Sequence, residues 1–210
     1  MNAVAFVPIK LNSTRIEDKN ITDLGGKPLC SYVFETLKES GLQEIFVYCS
    51  DEKIKNYIPN FVKFLARDER LDQDQTKGIE IYNSFCGTID ADVYVLAHAT
   101  SPFLRSNSIK KGLESIKKGH DSSLSVNRVQ TFIWHKGLPL NYNLTDVPRT
   151  QDIDPIFIET SGFYIFKKEV IKSGRRVGDN PFFVELDHIE SIDIDEKRDL
   201  DFARTIMGVR

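Results

Sequence analysis

Two groups of charged residues carry the chemistry this sequence could perform. The first is Pro8-Ile9-Lys10-Leu11-Asn12-Ser13-Thr14-Arg15, continued by Asp18-Lys19-Asn20-Ile21, in which three cations stand among hydroxyl and amide side chains. Lysine point charges, an arginine fork and backbone N–H groups together suit a polyphosphate. The same composition describes a solvated charged loop, and on composition alone the two readings weigh equally. The segment has neither the Gly-x-Gly-x-x-Gly spacing nor a Gly-Lys-Ser/Thr ending, so neither a dinucleotide fold nor a P-loop is indicated. The second group is Ile192-Asp193-Ile194-Asp195, followed by Asp199. On a strand, this alternation points both carboxylates to one face. Like charges side by side call for a cation, and one or two carboxylates completed by phosphate oxygens suit Mg²⁺. A solvated edge strand fits the spacing equally well.

The elements that must position these groups are legible as alternating apolar runs and amphipathic stretches. Residues 3–9 (AVAFVPI) form a short buried strand that ends in the polar loop, and Pro28 opens a helix to residue 40, stopped by Gly41. Strand 44–49, a helix at 52–57 capped from Ser50-Asp51, strand 62–65 and a helix over 75–85 follow. Strand 93–97, a Thr100-Ser101-Pro102 turn and a helix over 107–118 complete a βαβαβαβα order. This order predicts a doubly wound, mostly parallel α/β sheet with helices on both faces and the ligand crevice at the carboxyl ends of the strands. Beyond Asp121 the pattern changes. A strand at 123–129 is followed by a hairpin-like excursion over 131–143 around Lys136-Gly137, then by a strand at 162–166 and a helix at 167–173. A run at 182–186, a strand at 191–194 and a helix over 196–206 close the chain. No repeat or linker divides it, so a single domain over 1–210 is expected.

Composition narrows the functional classes. Lys+Arg 28 against Asp+Glu 31 gives a formal charge of -3, without the basic field that coating a nucleic acid requires. No apolar run reaches the roughly 20 residues that span a bilayer, and Met1 leads into a strand pattern without a basic leader, so neither membrane insertion nor export is expected. Cys30, Cys49 and Cys86 are widely spaced in apolar or helical settings, which suggests buried residues in a reducing cytoplasm and no catalytic thiol.

The polar loop resembles the signature of the cytidylyltransferases that activate sialic acids and related 2-keto-3-deoxy sugar acids. That signature reads Pro-Ala-Arg-x-x-Ser and then Lys-Asn. Pro8, Lys10, Ser13, Lys19 and Asn20 stand in register with it, Lys10 replacing the arginine, and Ser13-Thr14-Arg15 is also similar to the synthetases acting on 3-deoxy-manno-octulosonic acid. The likeness runs along nearly the whole chain. LGGKPL at 24–29 resembles a Gly-Lys-Pro-Leu turn, and VYCSD at 47–51 resembles a Val-Ser-Thr-Asp strand end in which Asp51 reads best as a helix cap. Arg67 and Asp74 keep the positions of an Arg-x-x-x-Leu-x-x-Asp segment; Gly78 stands where a serine helps read cytosine, leaving that contact to backbone or to a neighbour such as Thr76. VLAHATSPFLR at 95–105 resembles the loop facing the sugar acid, with His98 at the usual glutamine, followed by Thr100 and Ser101. Arg149, Gln151 and Asp152 resemble an Arg-x-Gln-Asp run, and Thr160-Ser161 replace an Asn-Gly pair. The aspartates at 193 and 195 match the metal-binding Ile-Asp-Ile-Asp motif, and Asp199 reads as a helix-terminal residue.

What this resemblance implies is a Rossmann-like nucleotide-diphospho-sugar transferase fold, a dimerisation insertion at about 130–160, and a cytoplasmic homodimer. The implied reaction transfers CMP from CTP to a sialic-acid-like acid with release of pyrophosphate, using Mg²⁺ on Asp193 and Asp195. Lys10, Lys19 and Asp195 would act on the reacting phosphates, with Pro8, Ser13, Arg15, Asn20, Arg67, Asp74 and Gly78 around the nucleotide. His98 would donate a hydrogen bond to the sugar acid unless its role is structural, and Thr100, Ser101, Gln151 and Thr160 would also contact it. Arg149 would clamp the acid or lie at a subunit interface. The same transfer to 3-deoxy-manno-octulosonic, pseudaminic or legionaminic acid, or nucleotide binding without turnover, would carry the same motifs.

Overall fold

In the computed structural model, which describes residues 1–13 and 16–208, the chain runs β1 (Ala3–Pro8), β2 (Asp23–Leu24), β3 (Lys27–Pro28), α1 (Leu29–Glu39), β4 (Glu44–Cys49), β5 (Lys63–Ala66), α2 (Gly78–Thr88) and β6 (Val93–Ala97). Then come α3 (Ser106–Lys117), β7 (Ser122–Val129), β8 (Trp134–His135), β9 (Leu138–Pro139), β10 (Ile156–Lys167), α4 (Lys168–Lys172), β11 (Pro181–Glu185) and α5 (Lys197–Met207). Seven strands form one sheet in the order β11-β7-β10-β6-β1-β4-β5. All pairings are parallel except those of β10, which runs antiparallel to both β6 and β7.

The period of two along each strand sorts side chains onto two faces. Ala5, Val7, Ile45, Val47, Val95 and Ile165 meet α1 and α3 on one side. Val4, Phe6, Phe46, Tyr94, Leu96 and Tyr164 meet α2 and α4 on the other, where the Phe6 and Phe85 rings stack at 4.2 Å. Such burial on both faces explains why the central strands read as continuous apolar runs. A third, smaller cluster joins Leu24 and Leu29 to Ile194, Leu200 and Ala203, seating α5 over the β2–β3 hairpin.

Several local expectations are met and several are revised. Asp51 caps a 3-10 turn at Glu52–Asn56 by accepting from the Lys53 N–H at 2.8 Å, so the predicted α-helix there is a tighter, shorter turn. The 131–143 excursion does contain a hairpin, β8–β9, whose turn puts Lys136 at φ 50° and Gly137 at φ 80°. The strand expected at 162–166 is the end of the twelve-residue β10, which bends at a register shift between Glu159 and Tyr164. Residues 191–194 do not form a strand: the Ile194 N–H goes to the Thr100 carbonyl at 2.8 Å, and the alternation serves to bury Ile194 beneath α5.

Candidate active site

The site forms where β1, β4 and β6 end. Ile9 continues the β1–β4 pairing one residue past the strand, donating to the Tyr48 carbonyl at 3.0 Å, and the chain then leaves the sheet at Lys10. The Lys10 Nζ donates to the Asp72 carbonyl and lies 3.4 Å from Asp74 Oδ1, while Asn20 Nδ2 donates to the Lys10 carbonyl at 3.0 Å. Asn20 thus shapes the loop that carries Lys10. Ser13 closes a tight turn, its N–H on the Leu11 carbonyl at 2.9 Å. Arg15 lies outside the described residues.

Behind Lys10 stands a buried ion pair. Arg67, 5% exposed, donates from Nε and Nη2 to Asp72 Oδ1 at 3.0 and 2.6 Å, from Nη1 to the Tyr48 carbonyl at 3.1 Å and from Nη2 to the Ile9 carbonyl at 2.8 Å. Ser50 donates to the other oxygen of Asp72. A charge at this depth is tolerable only when its donors are satisfied, and here they are satisfied by the ends of β1 and β4. Arg67, expected beside the nucleotide, borders the crevice and spends most of its donors holding that wall together. The crevice has a volume of about 360 Å³ and is bordered by Pro8, Lys10, Arg67, Asp74, Tyr82 and His98. A hollow of about 460 Å³ between α2 and α4, bordered by Asn83, Lys168 and Lys172, contains none of the predicted site residues.

Gly78 opens α2 without bordering the crevice. A Cβ there would stand 2.8 Å from the Tyr82 hydroxyl, so Tyr82 in this position leaves no room for a side chain at 78. Thr76, two residues earlier, does border the crevice.

Lys19 reaches the aspartate segment across a sequence gap of 176 residues. Its Nζ donates to the Ile194 carbonyl at 3.0 Å and pairs with Asp195 Oδ1 at 3.2 Å. Ile194 is fully buried, which pins the two aspartates flanking it. Asp199 is the cap that its position suggests, its Oδ2 accepting from the N–H groups of Asp195 and Glu196 at 3.0 and 2.8 Å. Asp193 keeps one buried carboxylate oxygen, Oδ1, without a hydrogen-bond partner. An orphaned anionic oxygen beside a second carboxylate fits a divalent cation that takes its remaining ligands from phosphate and water. Among the described residues no cluster of three or more His, Cys, Asp or Glu offers a complete protein cage.

At the end of β6, His98 Nδ1 lies 2.6 Å from the Ser161 carbonyl. A carbonyl only accepts, so Nδ1 carries the proton; burial lowers the ring's pKa, against the Ser161 contact and the Asp193 charge, which favour protonation. The neutral ring therefore offers Nε2 as an acceptor, where a donor was expected. Thr100 ties this loop to Ile194 through its carbonyl, and Ser101 is buried in the turn with its N–H on the His98 carbonyl at 3.3 Å. Thr160 is buried and gives its hydroxyl to Ser125 Oγ at 2.7 Å, bracing β10 against β7. Arg149 and Gln151 stand on the excursion, exposed: Arg149 pairs with Asp152 at 2.7 Å, and the Gln151 carbonyl accepts from Gln130 at 3.0 Å.

Sequence reasoning missed Asp72 and Tyr82, which both border the crevice. Tyr82 reads as an apolar helix position. Only the departure at Gly78 hinted that a bulky neighbour fills the space. Burial pushes the Cys30 and Cys86 thiols up to about 12, in keeping with inert side chains. Among the described residues no helix is long and apolar enough to cross a membrane.

Comparison with known proteins bears on the whole chain. It is 30% identical over 203 residues to N-acylneuraminate cytidylyltransferase A of Danio rerio, covering 91% of this chain and 47% of that protein. It is 25% identical over 210 residues to a Helicobacter pylori protein named pseudaminic acid cytidylyltransferase and UDP-2,4-diacetamido-2,4,6-trideoxy-beta-L-altropyranose hydrolase, covering 92% and 40%. The chain thus spans about half the length of these curated relatives or less. In fold it matches a CMP:2-keto-3-deoxy-manno-octonic acid synthetase complexed with CTP, with a TM-score of 0.76 over 99% of both chains at 15% identity. The cytidylyltransferase family model matches residues 4–207, and the chain belongs to that family.

Proposed function

We propose that this protein transfers CMP from CTP to a sialic-acid-like 2-keto-3-deoxy sugar acid. The anomeric hydroxyl oxygen forms a bond to the α-phosphorus, the bond from that phosphorus to the bridging oxygen breaks, and pyrophosphate leaves with the electron pair while the hydroxyl proton passes to solvent. The observation that carries this reading is a crevice bordered by Lys10 and His98, with Asp193 and Asp195 close enough to act on the charge of His98 and Lys19 paired to Asp195, within a chain of the cytidylyltransferase family.

Phosphoryl chemistry of this kind needs position and charge neutralisation more than a covalent nucleophile. Lys10 and Lys19 balance charge on the triphosphate, and Asn20 holds the loop that aims Lys10. His98 Nε2 accepts from a hydroxyl of the acid, and Thr76 and Tyr82 line the nucleotide side. Mg²⁺ held by Asp193 and Asp195 would supply charge neutralisation on the phosphate oxygens. The proposed setting is the cytoplasm, in keeping with three free thiols.

We also propose that the protein works as a homodimer joined through its excursion. That region exposes Trp134 (53%), Leu138 (68%), Leu140 and Leu144 on one short stretch of chain, more apolar surface than a solitary hairpin is expected to present.

Pyrophosphate release from CTP and Mg²⁺ across a panel of 2-keto-3-deoxy sugar acids tests the reaction. Turnover with one acid and CTP, and none with the other nucleoside triphosphates, is the expected result. Thermal stabilisation by CTP with Mg²⁺ and no product with any acid would favour a nucleotide-binding protein without turnover. Asp195→Asn should lower turnover ~100-fold or more, since a bound metal supplies several kcal/mol of charge stabilisation. Full Mg²⁺-dependent activity in that variant would remove Asp195 from the metal.

A further inference from the structure

An acid entering this crevice meets Asp72 and Asp74, so its carboxylate requires a cation with donors to spare. The cations already described have few. Lys10 is committed to the Asp72 carbonyl and Asp74, Lys19 to the Ile194 carbonyl and Asp195, and Arg67 to Asp72 and two backbone carbonyls. Arg149 is paired with Asp152 on the excursion.

Arg176, on the loop between α4 and β11, is arranged differently. Its guanidinium lies 4.1 Å over the Tyr164 ring, and one nitrogen, Nη2, donates to Glu159 Oε2 at 3.1 Å. The Tyr164 hydroxyl donates to the same oxygen at 2.7 Å, so ring and carboxylate fix the plane of the guanidinium together. The Tyr164 ring packs edge-on against His98 at 6.3 Å, and the hydroxyl of Tyr82 also interacts with Arg176. His98 and Tyr82 both border the crevice, so the guanidinium stands one side chain behind its wall, against Tyr82. With its side chain 39% exposed and one edge held by Glu159, the fork keeps N–H groups for a planar anion.

We infer that Arg176 binds the carboxylate of the acid co-substrate, held in place by Tyr164 and Glu159; this rests on the transferase reading above. Glu159 serves as a positioning residue that orients the fork. A lysine at 176 would keep the charge and lose both the stacking plane and the bidentate geometry.

The test measures pyrophosphate release by the full chain with CTP, Mg²⁺ and three acids, N-acetylneuraminic, 3-deoxy-manno-octulosonic and pseudaminic acid, each beside its C1 amide. With the acid that wild type uses, Arg176→Gln should raise KM for the acid about 10- to 100-fold, the range for a lost hydrogen bond to a charged group, while KM for CTP stays within about twofold. Arg176→Lys should fall between the two. The wild type's preference for acid over amide should collapse in Arg176→Gln, a change that a merely structural role would not produce. A KM for the acid within twofold of wild type, a parallel rise in both KM values, or a preserved acid-over-amide preference would overturn the inference and leave the reaction standing. No release by wild type with any of the acids would overturn the reaction and this inference together.

Discussion

Two arginine–aspartate pairs of almost equal length sit in opposite surroundings. Arg67–Asp72 closes at 2.6 Å with side chains 2% and 19% exposed, whereas Arg149–Asp152 closes at 2.7 Å with side chains 73% and 47% exposed. Distance therefore says nothing about what each contributes. Burial does: the inner pair holds the ends of β1 and β4 against the loop that carries Asp72, and the outer one decorates a 3-10 turn on the excursion. The crevice wall is held by hydrogen bonds from Arg67 to Asp72 and to the ends of β1 and β4. The excursion instead leaves apolar residues such as Trp134 and Leu138 exposed, the feature on which the proposed dimer rests.

The largest expected effect lies at the inner pair. Arg67→Ala leaves Asp72 charged without its partner and removes donors from the Tyr48 and Ile9 carbonyls, and breaking a buried pair in this way costs about 3–5 kcal/mol. Chemical denaturation should show a loss of that size. A loss under about 1 kcal/mol would mean that water reaches the pair and that the contrast with Arg149 fails.

The next effect concerns the excursion. Leu138→Asp, on the short β8–β9 hairpin, should leave the monomer fold intact and weaken self-association by about 2 kcal/mol, the cost of losing an anchor in an interface. Sedimentation across a protein concentration series reads this as a dimer dissociating at roughly thirtyfold higher concentration. An unchanged dimer would place the interface elsewhere, and a monomeric wild type would refute the pairing outright.

The same division explains what was legible in the sequence. Strands β1, β4 and β6 announce themselves because burial on both faces leaves continuous apolar runs, and the sequence loops after them hold the candidate site. The reversed direction of β10 left no trace, since hydropathy does not encode strand polarity, and its first half is interrupted by Glu159, Thr160 and Ser161. The alternation at Ile192–Asp195 reads as a strand because a pattern of two cannot distinguish sheet pairing from one isoleucine tucked under a helix. The grouping of Lys19 with Asp195 came through family resemblance; spacing alone left the aspartates as plausible on a solvated edge. Arg176 was invisible: its neighbours Tyr82, Glu159 and Tyr164 come from α2 and β10, and only the packing of those elements gives the turn at 176 a role.

The smallest predicted effect sharpens the comparison most. Arg149→Ala removes a pair as short as the inner one, yet an exposed pair between neighbours in sequence contributes about 0–1 kcal/mol, because both side chains remain hydrated and their ordering costs entropy. Measured at protein concentrations where the chain is monomeric, denaturation should fall within that range, and added salt should shrink the difference further. At concentrations favouring the dimer, any additional loss reports on an interface role for Arg149, and a raised KM for the acid reports on an anion clamp. If the monomer itself lost as much as Arg67→Ala, burial would not be what separates the two pairs, and the excursion would have to be a rigid part of the fold.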